Sequence, residues 1–217
     1  MGSNAATYLA SYGLDRSRIR IFPNTVDVHA YAHEADEARS HDAKIRARRG
    51  LPERYWLFAG RLVEDKGLLD LVEALRLIGS EAPPLLVAGT GPLAAELSRE
   101  PAVTCVGFQQ QTELIELMAL AEQTVIPSRF EPWGVVVNEA LAAGSPVVVT
   151  DQVGAAADLV IDGENGRVVP ANDPAALATA LSLLPPTGGR TVGRIMRWDY
   201  DFAVDQFVEA VALARRG

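Results

Sequence analysis

The sequence has a single cysteine, Cys105, so no intrachain disulfide can form and the redox chemistry points to a reducing compartment. It has no apolar run near the roughly 20 residues that a membrane-spanning helix needs, and no apolar leader segment. There is no run of Lys and Arg, and the net charge of -8 argues against a nucleic-acid partner. Histidine is scarce: His29, His33 and His41 lie near one another without the Cys or carboxylate spacing of a metal site, and read as surface residues. No G-x-G-x-x-G occurs, since Ala94 stands where the third glycine of G-T-G-P-L-A would be, which argues against a dinucleotide dehydrogenase. What remains is a chain of 217 residues, 48% hydrophobic, long enough for one sizeable core. Met1 to Ala5 read as an expression-tag remnant outside the fold.

From residue 55 onward, short apolar runs alternate with amphipathic stretches. Tyr55–Ala59, Leu85–Ala88, Val103–Val106, Thr124–Ile126, Val147–Val149 and Val168–Val169 have the continuous apolar character of parallel strands buried on both faces. Gly67 to Ile78 carries Leu68, Leu71, Val72 and Leu75 on one helical face, a second helix opens at Thr112, and Asp173-Pro174 is a helix start. Upstream, Thr7–Ser11 reads as a short helix ended by Gly13, Arg18–Phe22 as a seventh strand, and Glu34–Arg49 as a solvated surface helix. Leu183 to Arg190 reads as a linker, and 198–217 as a terminal helix. The pattern predicts one doubly wound α/β domain over residues 6–217 with a parallel sheet.

The stretch from Pro127 to Thr150 carries the chemistry. Pro132 and Gly134 hold a loop open until a helix starts at Val135, and Gly144-Pro146 ends it. Glu131 and Glu139 stand eight positions apart, roughly 12 Å if the stretch were helical. The free N–H groups of Gly134, Val135 and Val136 favour an anion between them. Glu139 as a carboxylate serving the helix dipole, with Glu131 solvated, is the bland alternative.

E-P-W-G-V-V-V-N-E-A resembles the E-x7-E signature of retaining glycosyltransferases of the GT-B architecture, in particular the large family 4 group. G-R-L-V-E-D-K-G, with Arg61 and Lys66, resembles that family's G-R-x-x-x-x-K-G loop, G-T-G-P its G-x-G-P turn, and Pro23–Asp27 its I-P-N-G-V-D turn, with Thr25 where glycine is common. The resemblance runs from Ile19 to the C-terminus. It implies a Rossmann-like fold, the C-terminal, donor-binding half of a GT-B enzyme, with residues 198–217 crossing back toward an N-terminal acceptor domain that is not in this chain. It implies transfer of a hexosyl unit from a UDP-, GDP- or ADP-sugar to an acceptor hydroxyl, in bacterial polysaccharide or glycoconjugate synthesis, without a metal or cofactor. Arg61, Lys66 and Glu131 would be catalytic. Gly60, Gly89, Gly91, Phe108, Gly134, Val135, Val136 and Glu139 would bind the nucleotide and donor, with Glu139 on the ribose and Gly154 a minor backbone contact; for Phe108 a place in the core is the equal alternative to one beside the base. The implied place is the cytoplasm, or the inner face of the membrane for the full-length enzyme. A non-catalytic nucleotide-sugar sensor is the alternative that keeps the same residues.

Overall fold

The computed structural model describes residues 2–183 and 195–215. Six strands form one parallel sheet: β1 Trp56–Ala59, β2 Leu85–Ala88, β3 Val103–Gly107, β4 Gln123–Ile126, β5 Val147–Thr150 and β6 Gly166–Val169. Their order is β3-β2-β1-β4-β5-β6, and every pairing is parallel. The chain therefore winds outward one way from β1 and then, from β4, the other way. This is the doubly wound, Rossmann-like α/β arrangement expected from the alternation.

Side-chain alternation divides the core. Leu57, Ala59, Leu86, Ala88, Ile126, Val147 and Val149 face one layer. Trp56, Phe58, Leu85, Val87, Val125 and Val148 face the other. The first layer is covered by α2 (Val28–Ser40), α3 (Asp42–Arg49), α6 (Gln111–Leu120), α7 (Val135–Ala142) and α8 (Ala156–Leu159). The second is covered by α4 (Leu68–Ile78), α5 (Ala94–Leu97) and α9 (Pro174–Ser182). Local signals set several starts. Asp173 accepts the Ala176 N–H ahead of Pro174, and the Gln110 N–H donates to Glu113 at the head of α6.

Three upstream expectations change. First, Glu34–Arg49 is not one solvated helix. It breaks at His41 into α2 and α3, and Val28, Tyr31, Ala35 and Ala38 form a buried stripe on α2. That stripe begins before the charged segment and is half alanine, so it is inconspicuous among the charges. Second, Arg18–Phe22 forms no strand. Asp15 caps a 3-10 turn at Arg16–Arg18, and the extended chain beyond it joins no sheet. It is held instead at the Asn24 carbonyl, which accepts from Asn138 Nδ2 and from Trp198 Nε1, both at 3.2 Å.

Third, residues 3–5 belong to the first helix, α1 (Ser3–Ser11). The Ser3 N–H donates to Asp158 Oδ2 at 2.8 Å, and Gly2 lies so close to Asp158 and Trp133 that a side chain would collide with both. The sequence also contains a D-x-D, at Asp199–Asp201. There Asp199 caps the terminal helix α10 (Tyr200–Ala214) by accepting the Phe202 N–H, which occupies it structurally. Beyond Leu183, the expected linker to Arg190 lies outside the described residues. No helix among the described residues is long and apolar enough to cross a membrane.

Candidate functional site

The sheet order reverses between β1 and β4, and a doubly wound sheet opens a crevice beyond the carboxyl ends of its strands at that point. Three loops meet there. The loop after β1 begins at Gly60, whose N–H donates to the Ala88 carbonyl at 2.9 Å, and continues with the Leu62 N–H on the Thr90 carbonyl at 2.9 Å. The Gly89 N–H reaches the carbonyl of Gly107, the last residue of β3, at 2.8 Å. Gly89 and Gly91 are what allow this seam. A Cβ on Gly89 would lie 1.8 Å from the Gly60 oxygen, and one on Gly91 2.4 Å from the Leu62 oxygen.

Along the first loop, a 3-10 turn at Glu64–Lys66 ends in Gly67, with φ +66° and its α-carbon pressed against the Pro127 carbonyl. This close approach brings Lys66 to the loop after β4, where its ammonium pairs with Glu131. Both side chains are more than four-fifths buried. The same loop is clamped by Arg129, which donates to both carboxylate oxygens of Asp70 at 2.8 and 2.7 Å, and by the Arg129 N–H on the Asp65 carbonyl.

Glu131 is further fixed by its backbone, with its N–H on Gln152 and its carbonyl accepting the Gly154 N–H at 2.9 Å. The Gly154 N–H is therefore committed to the loop and is not available to a ligand, contrary to expectation. Gly134, at φ +91°, caps α7, and the helical ladder begins with the Val137 N–H on the Gly134 carbonyl. The N–H groups of Gly134, Val135 and Val136 precede that first bond, as a site for an anion requires.

A cavity of about 300 Å³ opens at these loops, lined by Gly60, Arg61, Gly89, Phe108, Val136 and Glu139 among the expected residues. That volume is at the lower end of small-molecule pockets. Arg61 is exposed at its wall and has no ion-pair partner among the described residues. Phe108 is 69% exposed, so it belongs to the cavity rim and not to the core. Lys66 and Glu131 do not line this cavity; they form the adjoining ion pair. Gly91 and Gly134 act through the backbone, one in the β1–β2 seam and one at the head of α7.

Glu139 is the carboxylate of the site whose ionisation its surroundings disfavour. Burial pushes its carboxyl above the ordinary carboxylate range, and a hydrogen bond from the Tyr31 hydroxyl at 2.9 Å opposes that shift. Tyr31 was not anticipated because it precedes Glu34, where the charged helix was expected to begin, whereas α2 already starts at Val28. Thr90 and Gln109, also at the cavity, were missed although each adjoins a flagged residue. Gln109 is already occupied, donating to the Val106 carbonyl at 2.8 Å and accepting from Arg49. Thr25, in place of glycine, needs no positive φ, and its hydroxyl donates to the Trp198 carbonyl.

The histidines are peripheral: His29 lies 3.8 Å from Asp199 and His33 4.0 Å from Glu37, both on exposed surface. No group of three or more metal-ligating side chains occurs among the described residues. The arrangement thus offers cationic groups and a helix N-terminus for an anion, beside a carboxylate in a largely apolar cavity.

The chain is similar to known proteins in sequence and in fold. Glycogen synthase of Mycobacterium tuberculosis is 34% identical over 168 residues, 73% of this chain and 40% of the relative. D-inositol 3-phosphate glycosyltransferase of Xylanimonas cellulosilytica is 31% identical over 226 aligned residues, covering 94% of this chain and 54% of the relative. The chain thus spans about half the length of the curated relatives it matches. Among solved structures, HepE of Anabaena in complex with UDP superimposes with a TM-score of 0.77 over 96% of this chain and 61% of that one, at 22% identity, a likeness of fold. Residues 53–184, well over half the chain, match the family described as "Glycosyl transferases group 1". This chain belongs to that family of glycosyltransferases.

Proposed function

We propose that this chain is the donor-binding domain of a retaining GT-B glycosyltransferase, which moves a hexosyl unit from a nucleoside-diphosphate sugar to an acceptor hydroxyl. The observation that carries the reading is the convergence on one cavity, at the sheet's switch point, of Arg61 without an ion-pair partner among the described residues, a partly buried Glu139 and the N-terminus of α7. In this reading Glu139 accepts the ribose hydroxyls and Phe108 flanks the base. Arg61, Lys66 and the N–H groups of Val135 and Val136 hold the diphosphate, and Glu131 accepts hydroxyls of the sugar. The bond from the anomeric carbon to the phosphate oxygen breaks, the acceptor oxygen takes its place on the same face, and the acceptor's hydroxyl proton passes to the departing phosphate. The departing diphosphate gathers negative charge, which the cations and helix N–H groups stabilise in place of a metal.

The remaining half of the protein would supply the acceptor site. The outer face of α10 supports this: Val204, Phe207 and Val208 are each more than half exposed, with Phe22 packed edge-on to Phe207 at 6.3 Å. An apolar face of this kind fits a partner domain. The chain alone is expected to bind nucleotide and not to turn over donor. Cytoplasmic residence, with the inner membrane face as an alternative, belongs to the same reading.

Calorimetric titration of the chain with UDP, GDP and ADP tests it. One nucleotide is expected to bind preferentially, and the double variant Arg61→Ala/Lys66→Ala to weaken that binding at least about tenfold. The reading fails if the variant binds as tightly as the wild type, or if neither the chain nor the full-length protein binds any of the three.

A pH dependence follows from Glu139. Its carboxyl titrates above the ordinary range in the free protein, and ribose hydroxyls donating to it favour the ionised form. Nucleotide binding therefore lowers that pKa and releases a proton. Affinity is full above the free-state pKa and falls as the pH drops through it, toward the ordinary carboxylate range. Titrations in buffers of different ionisation enthalpy check the proton release; an affinity flat from pH 8 to pH 4 would count against Glu139 as the ribose acceptor.

A further inference from the structure

Tyr31 is 4% exposed and stands on the buried stripe of α2, one turn after the Asp27 cap that accepts the Ala30 N–H at 2.9 Å. Its hydroxyl donates to Glu139 Oε1 at 2.9 Å. The two helices are tied together on either side of this contact. Asn138 Nδ2, from the residue beside Glu139, donates to the Asn24 carbonyl just ahead of α2 at 3.2 Å, and Arg39 near the end of α2 donates to the Ala143 carbonyl beyond α7. Asn138 is itself held by Trp133 Nε1 at 2.9 Å. The phenol is therefore not a mobile side chain that happens to touch a carboxylate. Its ring is locked between two helices whose relative position is set by several other bonds.

We propose that Tyr31 is a positioning residue for the nucleotide: its hydroxyl fixes one oxygen of the Glu139 carboxylate and leaves the other to accept from the ligand. This rests on the reading of Glu139 as the ribose acceptor. Burial alone favours the neutral acid, which is a poorer acceptor and free to rotate its proton toward the cavity. A donor that cannot leave counters both effects. Tyr31 keeps its proton because burial and the neighbouring Glu139 and Glu34 charges all oppose its ionisation, with Tyr200 adding in the same sense. On the cavity side, Arg61 is the cationic group that lines the same space as Glu139. The phenol thus supplies a hydrogen bond to a charged group, an interaction stronger than one between neutral partners.

The test uses Tyr31→Phe, which keeps the ring, and reads the Glu139 carboxyl directly by carbon-13 NMR titration of the 217-residue chain. Without the hydroxyl, the titration midpoint is expected to move up. Incorporation of 3-fluorotyrosine, close in shape and a stronger donor, is expected to move it down and covers the case in which Tyr31→Phe folds poorly. In parallel, UDP is titrated at pH 6 and pH 9 into wild type, Tyr31→Phe and Glu139→Gln. Tyr31→Phe is expected to bind about tenfold more weakly than wild type at pH 6 and to recover most of that loss at pH 9. A carboxyl titration unchanged in both tyrosine variants would overturn the proposal, as would an equal loss at both pH values, which packing alone would give. If Glu139→Gln binds UDP like the wild type, the ribose reading itself is wrong. If Glu139→Gln loses binding while Tyr31→Phe keeps wild-type affinity and pH profile, only the role of Tyr31 falls.

Discussion

An Arg61→Ala variant of the full-length transferase is expected to lose about two to three orders of magnitude in kcat, or about 3–4 kcal/mol of transition-state stabilisation. The guanidinium stands at the wall of the cavity with no carboxylate neutralising it among the described residues. Its loop is anchored on both sides, by the Gly60 N–H on Ala88 and the Leu62 N–H on Thr90. A charge held this way needs little reorganisation as negative charge grows on the departing diphosphate. Its effect should therefore fall mostly on kcat and less on KM. Arg61→Lys should recover only part of the loss, since a point charge cannot bind two phosphate oxygens in a planar fork. Lys66→Ala is a less clean comparison because it also strands a largely buried Glu131. Steady-state kinetics with the nucleotide sugar settle the matter: wild-type turnover in Arg61→Ala would remove Arg61 from the clamp.

The sheet was legible because parallel strands buried on both faces need apolar residues at every position. Leu85–Ala88 and Val147–Thr150 meet that demand. The backbone part of the site was legible for a related reason: glycines at Gly60, Gly89 and Gly134 mark places where chain must approach chain or turn through positive φ. What stayed hidden depends on strand order. Lys66 and Glu131 are 65 residues apart and meet only because β4 lies beside β1. The Tyr31–Glu139 bond spans 108 residues and depends on α2 packing along α7. In the sequence α2 reads as polar because its buried stripe is one valine, one tyrosine and two alanines amid charges. Gly154 shows the opposite failure. Its position was anticipated, but the Glu131 carbonyl had already claimed its N–H.

The largest loss of stability from a single small substitution is expected at Gly89. A methyl group there would lie 1.8 Å from the Gly60 carbonyl oxygen, at a φ of +144° that residues other than glycine rarely adopt. Neither strand can easily move aside. Gly60 is bonded to Ala88, and Gly89 to Gly107, so relief of the overlap breaks the seam that joins the loops after β1, β2 and β3. Backbone strain of about 1–3 kcal/mol adds to the loss of one or two buried hydrogen bonds. Gly89→Ala should thus destabilise the chain by about 3–5 kcal/mol and lower Tm by about 6–15 °C. Gly79→Ala is the matched control. Gly79 also has positive φ, +71°, but an added Cβ there meets nothing within 4 Å, so strain acts alone and a loss of about 1 kcal/mol is expected. Urea melts of the two variants separate clash from conformational strain. Equal losses would mean that the three loops are not closely apposed. A much larger loss at Gly89 would tie the stability of the domain to the same backbone seam that borders the cavity proposed for the nucleotide, and nucleotide affinity should then fall with stability in Gly89→Ala but not in Gly79→Ala.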